Sequence, residues 1–311
     1  MKSVFMFPGQ GSQSIGMMAS LLEEHAIARE VFEQASLAIG YDLVDIAARG
    51  PEELINSTAI TQPIVLTASI AMWRVWCANN ELRPDFMCGH SLGEYSALVA
   101  SGVLAFDDAV KLVHLRGKLM QDAVPHGQGA MAALLGLEDD KVIAVCEQAA
   151  QGDVVSAANF NAPGQVVISG SMAALERALV MAKEAGARRA AMLPVSVPCH
   201  CALLAPAGQA LADAVAELEF NEPSIPIMQN FTAQIPDDIE ELKSSLLSHL
   251  HQPVLWAQSI KNLAALDVEL FVECGPGKVL SGLNKRIVRD ATTVNMSDTQ
   301  TMSAVMEAFS A

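Results

Sequence analysis

Between Ala130 and Val195 the chain has a secondary-structure order that few folds accommodate. Ala130–Leu137 has strand character, and Asp139–Gln151 has helical period. Val154–Ala158 and Gln165–Ser169 are two further strands joined through Asn161-Ala162-Pro163-Gly164, Met172–Ala185 is helical again, and Arg189–Val195 is a last strand. The order βαββαβ is that of a ferredoxin-like unit. Outside it the rhythm differs: an apolar strand at Ser3–Phe7, helical periods over Leu21–Ala38 and Gln62–Asn79, a strand at Phe86–Cys88, and a helix capped by Asp107 or Asp108 that runs to about Gln121. After Pro198 the larger alternation resumes with a helix at Pro206–Glu217, a strand at Ile225–Asn230, helices at Ile239–His251 and Pro253–Ala265, and a strand at Leu270–Glu273. The fold expected is α/β, a large domain formed by 1–125 and 198–311 with a small ferredoxin-like subdomain inserted at 126–197, the two flanking a cleft. The length of 311 residues agrees with two units.

Composition narrows the function. Hydrophobic residues at 51% and charged residues at 17% exclude a disordered chain. A net charge of −16 repels phosphate backbones and anionic lipid, so neither nucleic acid nor a membrane surface is an expected partner. Ala190–Ala212 carries no formal charge over a span-like length. Pro194, Pro198 and Pro206 interrupt it, however, and Ser196, His200 and Gln209 would need polar partners in lipid, so it reads as buried strand and loop. The N-terminal MKSVFMFPGQG lacks the apolar length and cleavage site of a signal peptide and reads as a first buried strand. The six cysteines are scattered without CxxC or zinc spacing, which points to reduced thiols in a cytoplasmic protein. Cys199-His200-Cys201 has no second cluster to complete four ligands, so no metal is expected.

Four features could carry chemistry. Gly89-His90-Ser91-Leu92-Gly93 fits GxSxG after an apolar run and before a helical one, the context of a nucleophile elbow; the alternative is a plain Gly-Ser turn. Of seven histidines, His25 and His114 sit on polar or amphipathic helices, His126 in a Pro-Gly loop, and His90 too close to Ser91 to fold back on it. His200 follows an apolar strand end with no charged neighbour, so it is either the base for Ser91 or a satisfied core histidine. The loop Phe7-Pro8-Gly9-Gln10-Gly11-Ser12-Gln13 lacks the lysine of a Walker loop and the third glycine of GxGxxG. A turn of this kind can present a backbone N–H to an oxyanion together with that of Leu92. Arg116, on an apolar helix, is either exposed or a bidentate clamp for a carboxylate.

Taken together, FPGQGSQ, GHSLGEYSAL, LVHLRGKLMQ, NFNAPGQVVISG, VSVPCHCAL, PVLW and ECGPGKVLSGL follow one another along almost the whole chain. In that order they resemble the motifs of malonyl-CoA:acyl carrier protein transacylases. The resemblance implies an α/β-hydrolase-like domain with a ferredoxin-like insert, ping-pong transfer of malonyl from malonyl-CoA to the phosphopantetheine thiol of acyl carrier protein in fatty acid biosynthesis, and no cofactor. It further implies Ser91 as nucleophile, His200 as base, the Gln10 and Leu92 amides as oxyanion hole, and Arg116 as the clamp for the malonyl carboxylate. Position 249, glutamine in the family pattern, is His249 here; the family residue orients the base through its main-chain carbonyl. Cys199 replaces a common serine. The segment Lys278–Arg289 places four cations within twelve residues, and Lys285 and Arg286 on a helix there either dock an acidic carrier or form a solvated face. Rival readings are an acyltransferase serving a polyketide synthase, the transacylase component of malonate decarboxylase, a GxSxG esterase that would have no need of Arg116, and a silent interaction module, against which the joint presence of Ser91, His200 and Arg116 argues.

Overall fold

Two β-sheets of different construction organise the chain, in a computed structural model that describes residues 1–125, 127–195 and 197–310. The first is parallel, in the order β7-β2-β1-β8-β9, from β1 (Lys2–Phe7), β2 (Phe86–Gly89), β7 (Ile227–Met228), β8 (Val268–Cys274) and β9 (Thr292–Met296). Parallel neighbours need helical crossovers, which cover both faces and demand strands that are apolar on both sides. β1 meets that demand. Phe5 and Phe7 pack with the helix Thr58–Asn79 side, Val4 and Met6 with Trp256 and Ile260 on the other, and all four strand residues are fully buried. The helix Thr58–Asn79 is apolar all round because it too is enclosed.

The second sheet is antiparallel, in the order β4-β5-β3-β6, from β3 (Gly129–Leu135), β4 (Val155–Ala162), β5 (Gln165–Ser171) and β6 (Arg189–Met192). Helices Asp139–Ala150 and Met172–Glu184 cover one face, which gives the ferredoxin-like arrangement. Period-2 alternation then decides what faces the cleft. Ala130, Ala132, Leu134, Val166 and Ile168 point to the helices, while Met131 and Val167 point the other way. β4 is tied to the segment before the helix Trp256–Ala265, where Phe160 N–H donates to the Val254 carbonyl at 2.9 Å and Val254 N–H to that of Ala158 at 2.8 Å. His126 and Ser196, at the two edges of the inserted unit, lie outside the described residues.

Some expected elements differ. The helix expected over Leu21–Ala38 is two, Ala19–Glu24 and Ala26–Ile39, parted at His25 with φ −127° and ψ 112°. Asp107 and Asp108 do not cap the helix Phe106–Ala123; Ala105 takes the cap position, and both carboxylates lie in the first turn, where the helix dipole favours them. β7 is shorter than Ile225–Asn230 because Gln229 and Asn230 turn out of the ladder to bond Glu94. β6 ends at Met192 rather than Val195.

Candidate active site

In an open parallel sheet the groove lies beyond the carboxyl ends of the strands. Here three adjacent strands deliver to one such place: β1 the loop from Pro8, β2 the turn with Ser91, and β8 the helix Val279–Ile287. Met131 and Val167 of the small sheet close the opposite side, leaving a cavity of about 250 Å³ whose lining includes Gln10, Ser91, Leu92, Arg116 and His200.

The turn at Ser91 is sharp enough to exclude side chains at its flanks. A Cβ on Gly89 would strike the backbone of Gly93, and one on Gly93 the carbonyl of Phe7. Ser91 itself sits at φ 51°, in the left-handed region unfavourable to it, a strain that lifts its hydroxyl into the cavity. Its Oγ lies 2.8 Å from His200 Nε2. His200, also strained at φ 59°, has Nδ1 2.8 Å from the His249 carbonyl, and its N–H donates to the Leu250 carbonyl at 3.2 Å. A carbonyl only accepts, so Nδ1 carries the proton and Nε2 is left as acceptor for the Ser91 hydroxyl. Burial, then the nearby positive charge of Arg116, push the His200 pKa down to about 3, against the smaller opposing effect of the His249 carbonyl. The imidazole is thus neutral at neutral pH and free to take a proton.

The Gln10 and Leu92 amides border the same cavity, and among the described residues neither backbone N–H is taken by a protein acceptor. Gln10 directs its side chain away, donating from Nε2 to Thr58 Oγ1 at 3.3 Å. Arg116 is 1% exposed, which settles its position against the solvated alternative. One terminal nitrogen donates to Gln62 Oε1 at 2.7 Å, the guanidinium lies 5.5 Å from the Tyr95 ring centroid, and Nε and the other terminal nitrogen are buried without a partner. Two unsatisfied N–H-bearing nitrogens on a planar cation form the fork that fits a carboxylate.

The remaining sequence candidates fall differently. The His249 ring stacks on that of His200 with centroids 4.8 Å apart, and both its ring nitrogens are buried without a hydrogen-bond partner. His90 turns away from Ser91, its Nε2 2.8 Å from Asn161 Oδ1. The helix Val279–Ile287 is anchored by the buried carboxylate of Glu273, which accepts from the Leu280 and Ser281 amides at 3.0 and 2.8 Å. Lys278 and Arg289 flank that helix rather than lie within it, while Lys285 and Arg286 are exposed in its last turn. Arg286 donates to Gln165 Oε1 and, at 3.3 Å, to the Pro163 carbonyl, so it reaches across to the β4–β5 turn. Among the described residues no group of three or more His, Cys, Asp or Glu could hold a metal ion, and no helix is long and apolar enough to cross a membrane.

Among the buried polar residues that escaped the sequence reading, Gln62, Glu94 and Asn230 bear on the site. Only Glu94 left a trace, as an acid in an otherwise apolar helix next to the elbow.

Residues 4–304 match the acyl transferase domain family. A protein of Haemophilus influenzae named malonyl CoA-acyl carrier protein transacylase is 50% identical over 307 residues, 98% of each chain. The crystal structure of an acyl carrier protein S-malonyltransferase from Vibrio cholerae superposes with a TM-score of 0.96 at 51% identity, over 98% of this chain and all of the other. A malonyl-transacylase solved in complex with a type II PKS acyl-carrier protein superposes at 0.97 with 44% identity, covering 99% and 100%. With a parallel sheet, an antiparallel insert and near full-length identity of this order, the chain belongs to the malonyl CoA-acyl carrier protein transacylase family.

Proposed function

We propose that this enzyme transfers the malonyl group of malonyl-CoA to the phosphopantetheine thiol of acyl carrier protein, by way of a malonyl ester on Ser91, and so supplies fatty acid biosynthesis. The observation that carries the reading is a Ser–His pair at 2.8 Å in one cavity with a buried, half-satisfied arginine. His200 Nε2 takes the Ser91 proton as Oγ attacks the thioester carbonyl, the oxyanion faces the Gln10 and Leu92 amides, and the protonated imidazole returns its proton to the departing CoA thiolate. The carrier thiol then repeats the sequence in reverse roles. The malonyl carboxylate occupies the open fork of Arg116, which explains a buried cation with unpartnered nitrogens in the wall of the pocket.

No cofactor enters this reading, because Ser91, His200, two amides and Arg116 supply every group it uses. Burial and a main-chain carbonyl orient His200 without a third carboxylate; thioester exchange is nearly balanced in energy, so less help is needed than for amide cleavage. A division of the chain into 1–125 with 198–311 and an insert at 126–197 fits the two sheets. A cytoplasmic setting fits six cysteines that are free among the described residues. Lys285, exposed on the helix whose Leu280 and Leu283 line the cavity, is the cation we assign to carrier docking, with Arg286 partly committed to the β4–β5 turn.

Incubation with malonyl-CoA followed by intact mass should give one malonyl adduct, on Ser91, that discharges to holo-carrier. Absence of the adduct would overturn the reading. A second reading, service to a polyketide carrier, is favoured by the relative solved with a type II PKS acyl-carrier protein; discharge rates to the two carriers separate them.

A further inference from the structure

The turn that presents Ser91 is held from behind by one side chain. Asn230, 3% exposed, lies just after β7. Its Oδ1 accepts from the Ser91 N–H at 2.9 Å, and its Nδ2 donates to the Gly89 carbonyl at 2.6 Å. One amide therefore clamps the backbone on both sides of His90, immediately before Ser91, the residue whose φ is unfavourable. The clamp works in a single orientation. Were the amide flipped, its oxygen would face the Gly89 carbonyl and its NH₂ the Ser91 N–H, two repulsive contacts in a buried site.

Glu94 sets that orientation. Its carboxylate, fully buried, accepts from Asn230 Nδ2, from the Asn230 backbone N–H at 3.0 Å and from Gln229 Nε2 at 3.4 Å. Both Asn230 donors converge on the same oxygen, Oε2, so this atom can only accept, and an Asn230 oxygen turned toward it would be repelled. The same oxygen lies 3.7 Å from His249 Nδ1, which puts the carboxylate beside the residue whose carbonyl orients the base. Burial raises the Glu94 pKa to about 7, and the bonds from Asn230 and Gln229 oppose that rise. Nothing in the acyl-transfer steps uses Glu94 directly, yet a carboxylate enclosed here is expensive unless its bonds have a purpose.

We propose that Glu94 is a positioning residue which, by fixing the orientation of Asn230, holds the strained Ser91 turn in register with His200. The inference rests on the reading of Ser91 and His200 as nucleophile and base. It commits to an effect on the acylation step and not on substrate binding, because Asn230 and Glu94 lie behind the turn and outside the residues that line the cavity.

Single-turnover malonylation of Ser91, followed by intact mass across malonyl-CoA concentrations, separates the maximal rate from the half-saturating concentration. Glu94→Leu removes the acceptor of both Asn230 donors, and Asn230→Asp, of the same shape, sets a carboxylate oxygen against both the Gly89 carbonyl and Glu94. Each is expected to lower the maximal rate about ten- to a hundredfold, the scale of an ångström-level misplacement, with half-saturation within about twofold of wild type. Glu94→Gln, whose amide oxygen can take the place of Oε2, keeps that acceptor and should retain most of the wild-type rate. An unchanged maximal rate in Glu94→Leu and Asn230→Asp, or a loss in Glu94→Gln as large as that in Glu94→Leu, overturns the proposal. If Glu94→Leu fails to fold, Asn230→Asp alone decides by the same rate and half-saturation readout. A Ser91→Ala control that still acquires malonyl would instead overturn the nucleophile reading, so the two failures are distinguishable.

Discussion

His200 Nδ1 lies 2.8 Å from the main-chain carbonyl of His249, while the two imidazole rings stack with centroids 4.8 Å apart at an interplanar angle of 24°. The bond that fixes the base's tautomer thus comes from the backbone, which is why a change of side chain from the family's glutamine leaves it in place. The ring adds packing. His249→Gln is therefore expected to cost far less in Ser91 malonylation than loss of His200, and equal losses in the two variants would give the His249 ring a direct part in proton transfer.

The same ring makes a pH prediction. Burial holds the His249 pKa well below 6.5, so the native state stays neutral where the unfolded chain takes up a proton. Unfolding then binds a proton below about pH 6.5, and stability falls as pH drops from 7 toward 4. His200 acts with the same sign between 6.5 and about 3, whereas Glu94, raised to about 7, acts with the opposite sign between 4.5 and 7. His249→Gln removes one of these contributions, so its loss of stability between pH 7 and pH 5, measured by urea unfolding, should be shallower than in wild type. Equal slopes would mean that His249 is already protonated in the fold.

Ser91→Ala should abolish the malonyl adduct and His200→Ala should slow its formation about 10²–10⁴-fold, the usual scale for a lost general base. Both proteins should remain folded by circular dichroism, since neither side chain carries part of either sheet. Adduct formation at the wild-type rate in His200→Ala would remove it as the base.

Much of this site was legible because its residues announce themselves locally. Ser91 sits between glycines after a strand, His200 in an uncharged apolar stretch, and the inserted unit has an element order of its own. What was not legible depends on distant partners. Arg116 reads equally as exposed until Gln62, on another helix, is seen to hold it, and Asn230 reads as the end of a strand until Glu94 is seen to draw it out of the ladder. β9 and the helix Thr299–Ser310 also went unseen, because a half-buried edge strand of mixed Thr, Asn and Val shows neither period clearly.

Arg116→Ala should lower malonyl transfer far more than acetyl transfer, because only malonyl offers a carboxylate to the free fork of the guanidinium. A second effect follows from its charge. Arg116 is one of the causes that depress the His200 pKa, so its removal should shift the acid limb of the acylation profile upward, toward 6.5. Acyl selectivity measured with malonyl-CoA and acetyl-CoA, together with a pH–rate profile, checks both; equal losses for the two thioesters would make Arg116 a structural residue.

Carrier docking can be tested at one residue. The chain carries a net charge of −16, so its overall field opposes an acidic carrier and a local cation must offset that repulsion. Arg286 is a poor probe, because reversing its charge also breaks its bonds to Gln165 and Pro163 and loosens the β4–β5 turn beside the cavity. Lys285 is exposed in the last turn of a helix whose buried face, Leu280 and Leu283, forms part of the cavity wall. Lys285→Glu should raise the KM for holo-carrier severalfold at low ionic strength and leave Ser91 malonylation by malonyl-CoA unchanged. The difference from wild type should shrink as salt rises, since exposed charges more than about 10 Å apart are screened at 0.1 M. A carrier KM that does not move at low salt would place the docking surface away from this helix.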